Sequence, residues 1–254
     1  MHTARETWIV FTRALRLSLR NPVWTIIGLA QPILYLSLFG PLLEPMSAVP
    51  GVPPGDSWQW FVPGVLVMLG LFGGLYVGFG LVMEQQAGVI ERMRVTPARR
   101  AALLGGRVLR DVAVLLVQSV VLIACEMLFF GLDASLPGVL AGLVLVALLG
   151  GSIAALSNAL ALVLRSQEAL ASVLNSLNLP ILLLSGILLP MDNAPRWLRW
   201  LSNINPLKHV VDGTRAMFDG DVLSGTAMGG LAAAAALAIA GGWFGTATFR
   251  RESA

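Results

Sequence analysis

Residues 138–164 read GVLAGLVLVALLGGSIAALSNALALVL, and this stretch contains no charged side chain. A helix needs about 20 consecutive apolar residues to cross a bilayer core of about 30 Å. The stretch is longer than that, so we expect its helix to be tilted, or broken near Gly150 and Gly151. Strands of a membrane barrel would alternate apolar and polar residues, and this sequence does not. The stretch therefore predicts a membrane-spanning helix.

Five further stretches have the same apolar character. The six predicted spans cover approximately residues 22–43, 61–83, 112–132, 138–164, 169–190 and 226–249. The composition agrees, since 56% of the 254 residues are hydrophobic and only 12% are charged, whereas soluble domains carry roughly 25% charged residues. The predicted fold class is an all-α integral membrane protein with six transmembrane helices, and residues 1–254 form a single transmembrane domain.

The residue types exclude several kinds of chemistry. One cysteine and two histidines leave no Cys-rich or His-rich metal site, so no metal is expected. A nucleotide-binding P-loop needs Gly-x-x-x-x-Gly-Lys-Ser/Thr, and the only lysine, Lys208, follows Asn-Pro-Leu. An intramembrane serine protease built on Ser152 would need a histidine or lysine at membrane depth, which the sequence lacks. We therefore expect no catalytic residue and no cofactor in this chain, and any ATP must bind another subunit.

The positions of the arginines predict the orientation of the spans. Most of the 17 basic residues precede the first span, lie between the second and third, or follow the fourth and sixth. Residues 44–60 contain none. Basic residues favour the cytoplasmic side, so both termini are expected there, with the first span acting as an uncleaved insertion signal. The net charge of +3 is dispersed rather than gathered in one patch, so no nucleic-acid partner is expected.

The N-terminal segment, residues 5–20, is predicted to be an amphipathic helix in the cytoplasmic interface of the membrane. Its charged residues fall within an arc of about 100°; they are Arg5, Glu6, Arg13, Arg16 and Arg20. Trp8, Phe11, Leu15 and Leu19 fall on the other side. A basic amphipathic helix with a Trp is typical of interfacial helices that contact lipid. The alternative is a solvated lead-in with chance periodicity.

The cytoplasmic segment, residues 84–111, reads EQQAGVIERMRVTPARRAALLGGRVLRD. Val89, Ile90 and Met93 share one helical face. Thr96 and Pro97 read as the N-cap and first position of a second short helix, which we expect to end near Gly105 and Gly106. Two amphipathic pieces are more elaborate than a connector requires, which favours a docking surface for a cytoplasmic partner. The alternative is an anchor that needs only its arginines.

The outer segment, residues 195–220, predicts two short amphipathic helices separated at Asn205 and Pro206. The first places Trp197, Trp200, Leu201 and Ile204 on one face. Such helices lie at the outer interface or dip into the bilayer. They either cap a cavity from outside or only anchor the chain through an aromatic belt.

Polar and aromatic residues within the spans are the candidate transport residues, since polar groups at membrane depth usually face the bundle interior. Glu126, in the third span, either contacts a cationic substrate, pairs with Arg215 or Lys208, or snorkels outward. The remaining candidates lie at helical spacing on three other spans; they are Gln31 and Tyr35, then Met68, Phe72, Tyr76 and Phe79, then Asn175, Asn178 and Leu182. Simple packing explains the same pattern.

With these residues in place, the chain resembles the type-2 ABC exporter permeases, and especially their daunorubicin-resistance-like branch. The cytoplasmic stretch Gly88-x-x-Glu91-Arg92-x-x-x-Thr96-Pro97-x-x-Arg100, followed by Gly106-Arg107, is similar to the coupling-helix region of that family. The outer stretch Pro195-x-Trp197-Leu198, then Asn205-Pro206-Leu207 and Val211-Asp212-x-x-Arg215, is similar to its signature before the last span. Val89 and Lys208 depart from the family, which often has Thr at both positions.

The resemblance implies a half-transporter that pairs with a second copy of itself. Two ATP-binding cassette subunits, holding ATP and Mg, would bind at residues 88–100, which include Arg94. In the family the first, second and fifth spans line the route, and this places Gln31, Tyr35, Phe72, Asn175 and Asn178 along it. The implied cargo is an amphipathic drug, antibiotic or lipid-like molecule moved outward across a bacterial plasma membrane.

Two other functions remain open from the sequence. One is a permease for a lipid-linked polysaccharide, which has a similar topology. The other is a membrane anchor that recruits a cytoplasmic ATPase without transporting anything, although this gives no reason for the outer amphipathic helices.

Overall fold

A computed structural model of the chain describes residues 2–20, 23–43, 57–88, 100–129, 132, 134–191 and 194–251. These ranges contain ten α-helices and no strand, which confirms the all-helical class. The helices are α1 (His2–Arg20), α2 (Val23–Leu43), α3 (Ser57–Leu75), α4 (Val77–Gln86), α5 (Arg100–Phe129), α6 (Leu136–Leu164), α7 (Gln167–Leu184), α8 (Arg196–Ile204), α9 (Pro206–Phe218) and α10 (Gly225–Arg251).

Five helical segments in the described ranges are long and apolar enough to cross a membrane. They are Trp58–Gln86, Gly105–Phe129, Leu136–Leu164, Gln167–Leu184 and Gly225–Thr248. The apolar segment in α2, Ile26–Phe39, is shorter. Five of the six predicted spans therefore correspond to helices of sufficient length, and a sixth crossing by α2 stays a prediction.

Helix α6 is the centre of the bundle, and it packs against α3, α4, α5, α7, α9 and α10. Its inward residues Leu145, Val146 and Leu149 have no solvent exposure. The expectation of a break near Gly150 and Gly151 is wrong, because α6 is continuous through both glycines. A side chain at Gly150 would collide with Leu115 of α5. These glycines permit close approach of neighbouring helices instead of ending one.

Gly105 and Gly106 were expected to end a short cytoplasmic helix, and this prediction is also wrong. Both lie inside α5, which runs without interruption from Arg100 to Phe129. A Cβ atom at Gly106 would lie 2.7 Å from Val10 Cβ and 2.9 Å from Thr7 O. Helix α1 therefore crosses α5 at the glycine pair, and the missing side chains make this contact possible.

The second predicted span is interrupted at Tyr76, where α3 ends and α4 begins. Ser157 of α6 connects the two sides of this interruption. Its hydroxyl donates to Leu75 O and accepts from Gly78 N at 3.1 Å. A side chain at position 78 would lie 2.6 Å from Ser157 O, so glycine is required for this approach.

The fifth predicted span ends earlier than expected, at Leu184 rather than residue 190. Ser185 terminates α7 through a hydrogen bond from its hydroxyl to Leu182 O at 2.6 Å. Gly186 then adopts a left-handed φ of 73°, a conformation that glycine adopts without strain. The chain turns back here and buries Ile187 in the core.

Candidate functional site

Two short helices, α8 and α9, follow the fifth span, and the chain changes direction between them at Asn205. The Asn205 side chain accepts a hydrogen bond from Leu207 N at 3.1 Å, which caps α9. Its amide group donates to Ile181 O of α7 at 3.2 Å. Pro206 occupies the first position of α9, where its missing N–H leaves no partner unsatisfied. Asn205 and Pro206 thus define the start of α9, and Asn205 holds this start against α7.

Arg215 of α9 connects three separate parts of the chain. Its Nε donates to Trp60 O at 3.0 Å, and one terminal nitrogen donates to Gly186 O at 2.9 Å. The guanidinium carbon lies 3.9 Å from the centre of the Trp60 ring. The other terminal nitrogen is 3.8 Å from Asp212 Oδ1. Arg215 therefore joins the start of α3, the turn after α7 and α9 in one contact region.

A cavity of about 330 Å³ lies beside this region. Its lining includes the charged residues Lys208, Asp212, Arg215 and Asp219. Burial, followed by the nearby Asp221, raises the pKa of Asp219, and Arg215 lowers it. The Lys208 ammonium donates to Asn203 Oδ1 at 2.6 Å. Charged side chains thus line part of this cavity.

Helix α8 presents an apolar stripe outward. Trp197 is 66% exposed, and Trp200, Leu201 and Ile204 are exposed on the same face. On the opposite face, the buried Ser202 donates to Leu184 O at 2.7 Å. The stripe therefore faces away from the rest of the chain.

Glu126 of α5 has no solvent exposure, and neither carboxylate oxygen has a hydrogen-bond partner among the described residues. The described contacts of Arg215 and Lys208, the partners considered from sequence, are made elsewhere. Three other buried polar residues lie on the same face of α5, at spacings of seven and eight; they are Asp111, Gln118 and Ser119. Sequence reasoning missed this stripe, although its spacing is the available signal.

The candidate transport residues lie in two kinds of environment. Met68, Phe72 and Leu182 are buried in the main hydrophobic core. Gln31 of α2 and Asn175 of α7 are exposed, while Tyr35 and Asn178 are half-buried. The assignment of all these residues to a substrate route stays a prediction.

An aromatic row runs along α3 and α4 across the interruption of the second span. Tyr76 is 46% exposed and lies between Phe72 and Phe79, with ring centroids 6.3 and 6.0 Å away. The row thus passes from the core to the surface at the point where the helix breaks.

The predicted coupling residues fall mostly outside the described ranges. Gly88 is described and has a left-handed φ of 68°. Glu91, Arg92, Arg94, Thr96 and Pro97 lie outside the described residues, and Arg100 is described only as the first residue of α5. The helices on either side are joined by an ion pair between Glu84 of α4 and Arg107 of α5. Arg110 and Asp111 form a second ion pair at 2.8 Å.

A sequence profile of the ABC-2 type transporter family matches residues 5–218, from α1 to the end of α9. The chain belongs to this family. Relatives of the chain include a putative transport permease, ycf38, of Cyanophora paradoxa, which is 29% identical over 217 residues that cover 84% of this chain and 74% of the relative.

Two bacterial relatives carry names related to drug transport. The daunorubicin resistance ABC transporter permease protein DrrB1 of Streptomyces coeruleorubidus is 25% identical over 78% of this chain and 70% of its own length. The probable multidrug ABC transporter permease YbhR of Escherichia coli is 25% identical over 65% of this chain and 45% of its own. Together with the apolar helices, the family match identifies this chain as a multi-pass membrane protein of the transport-permease type.

Proposed function

We propose that this ABC-2 chain is the membrane-spanning subunit of an ATP-driven exporter that moves amphipathic drug, antibiotic or lipid-like molecules outward. It crosses a bacterial plasma membrane six times with both termini in the cytoplasm. Two copies pair, and two ATP-binding cassette subunits supply ATP and Mg. The observation that carries the proposal is the family match over residues 5–218. The names of the daunorubicin and multidrug relatives support the cargo class.

The coupling step rests on residues 88–100 as the docking segment for the ATP-binding subunits. The Glu84–Arg107 ion pair joins α4, which precedes this segment, to α5, which follows it. A displacement of the segment therefore reaches both helices together. It passes along α4 to the interruption at Tyr76, where the chain changes from one helix to the next.

The substrate route lies along α2, α3 and α7, where exposed polar and aromatic side chains meet the surface of this single chain. Gln31, Tyr76 and Asn175 are all exposed. Polar side chains at membrane depth normally face protein or a wet cavity rather than lipid. A second copy facing these helices supplies such an environment and encloses the route between the two chains.

The test is ATP hydrolysis by the chain in lipid together with its ATP-binding subunit, recorded against a panel of amphipathic compounds. We expect some compounds to stimulate hydrolysis, and Glu91→Ala to remove the stimulation. Glu168→Ala is the matched control, since Glu168 is an exposed acid in the first turn of α7 on the same predicted side. Stimulation by glycolipid substrates alone would favour polysaccharide transport. A stable complex that ignores every compound would favour the anchor function.

A further inference from the structure

Helix α1 has three distinct faces, although its sequence suggests two. The first face packs on α5. Thr7 and Val10 of this face lie against Gly105 and Gly106, and Ala14 continues it at helical spacing. These small and medium side chains are half-buried.

The second face points away from α5 and carries the charge of the helix. Arg5, Arg13, Arg16 and Arg20 are all exposed on it. The helix contains a single acidic residue, Glu6, so four guanidinium groups stand against one carboxylate. Such a surface attracts anionic partners.

The third face is an apolar flank between the other two. Trp8 is 60% exposed and Leu19 is 72% exposed. The Trp8 ring lies 5.1 Å from the ring of Phe11, which holds the indole in place on the helix. An exposed Trp and Leu beside a row of arginines match the boundary between acyl chains and headgroups. An acidic protein surface would match the arginines but not this flank.

From these faces we propose that α1 binds anionic phospholipid headgroups of the cytoplasmic leaflet. The four arginines contact the phosphates, for which the guanidinium fork is well suited. Trp8 and Leu19 insert between the acyl chains. The proposal rests on the cytoplasmic orientation of α1 proposed above. Val10 of α1 packs closely against Gly106 of α5. Headgroup binding to α1 therefore acts directly on α5, the helix that follows the coupling segment.

The test uses the intact chain in phosphatidylcholine vesicles that contain a fixed fraction of phosphatidylglycerol. In one preparation the phosphatidylglycerol carries bromine on its acyl chains, and in the other the phosphatidylcholine does. The difference in fluorescence between the parent chain and Trp8→Phe gives the emission of Trp8. We expect brominated phosphatidylglycerol to quench Trp8 about twofold more than brominated phosphatidylcholine at equal content. This excess quenching by phosphatidylglycerol disappears at about 1 M salt, where the Debye length is about 3 Å. It also disappears in the double variant Arg13→Gln/Arg16→Gln.

The matched control is Arg196→Gln/Arg199→Gln, which removes two exposed arginines from α8 on the predicted outer side and leaves the excess intact. Equal quenching by the two lipids, or an excess that persists in Arg13→Gln/Arg16→Gln, overturns the proposal. Loss of Trp8 quenching when the ATP-binding subunit is added assigns the basic face to that protein and also overturns it. The measurement needs no ATP hydrolysis, so its failure is distinct from failure of the proposed export function.

Discussion

Arg215 illustrates how one side chain can hold together parts of the chain that are far apart in sequence. Trp60 is 155 residues away, and Gly186 is 29 residues away. Both contacts are made to backbone carbonyls in segments where the helical hydrogen-bonding pattern begins or ends. Gly186 O lies beyond the last turn of α7, outside the helical hydrogen-bonding pattern, so the guanidinium group supplies a donor to a backbone acceptor in an environment poor in water.

We expect Arg215→Lys to destabilise the protein by about 1–3 kcal/mol, because a single ammonium group cannot reproduce two directed hydrogen bonds and stacking on Trp60. The measurement is thermal unfolding in detergent. Arg199→Lys is the control, since Arg199 is exposed and donates to one carbonyl of its own segment, Ala194 O. A decrease in Tm of the same size in both variants would show that the contacts of Arg215 stabilise the protein no more than those of Arg199.

The contrast between Asn205 and Arg215 shows what sequence can reveal about single residues. Asn205 followed by Pro206 is a local signal, because both the cap and the first helical position are defined by neighbours in the chain. The role of Arg215 depends on distant carbonyls, and no spacing in the sequence indicates them. Glu126 was recognised as unusual, but its complete burial depends on packing by other helices.

At the scale of elements, the interruption between α3 and α4 depends on a neighbouring helix. Ser157 of α6 bonds to Leu75 O and Gly78 N across the break. Its hydroxyl therefore bonds to backbone groups on both sides of Tyr76, the single residue at which the two helices meet. If α4 moves with the coupling segment, this contact sets how easily the break deforms.

We expect Ser157→Ala to increase amide hydrogen exchange at Gly78 about tenfold, because loss of a buried hydrogen bond lowers the cost of local opening by about 1.4 kcal/mol. Exchange is followed by mass spectrometry on the purified chain. Ser176→Ala is the control, since the hydrogen bond that the Ser176 hydroxyl makes in the described part of the chain is to Ser172 O of its own helix, at 2.7 Å. Unchanged exchange around Gly78 would exclude this role for Ser157.

The existence of the long helices was predictable, whereas their breaks were not. Apolar length is a property of one segment, so α6 and α10 are evident from sequence alone. A glycine pair, however, signals either a helix end or a close crossing, and the neighbour decides which. Gly106 faces α1 and Gly150 faces α5, so both pairs lie inside continuous helices. Tyr76 carries no local signal for a break, because the partner that supports it lies on α6.

At the scale of the whole molecule, the number of crossings decides where α1 lies. Five segments are long enough to span, and the α2 apolar segment Ile26–Phe39 is shorter than these. If α2 crosses, α1 lies in the cytoplasm beside the coupling segment. If α2 does not cross, α1 lies on the side opposite the coupling segment, which conflicts with its packing on Gly105 and Gly106 near the start of α5. The proposed coupling and the proposed lipid contact both require the first arrangement.

Labelling of single introduced cysteines with a membrane-impermeant maleimide distinguishes these arrangements. The one native cysteine, Cys125, is first replaced by serine. We expect Leu223→Cys, at a position 88% exposed between α9 and α10, to react in intact cells. Thr3→Cys and Glu168→Cys should react only after permeabilisation, because positively charged flanks favour the cytoplasmic side. Reaction of Thr3→Cys in intact cells, with Glu168→Cys still protected, would establish five crossings. It would place the arginines of α1 outside, where they can bind neither the cytoplasmic leaflet nor a cytoplasmic subunit.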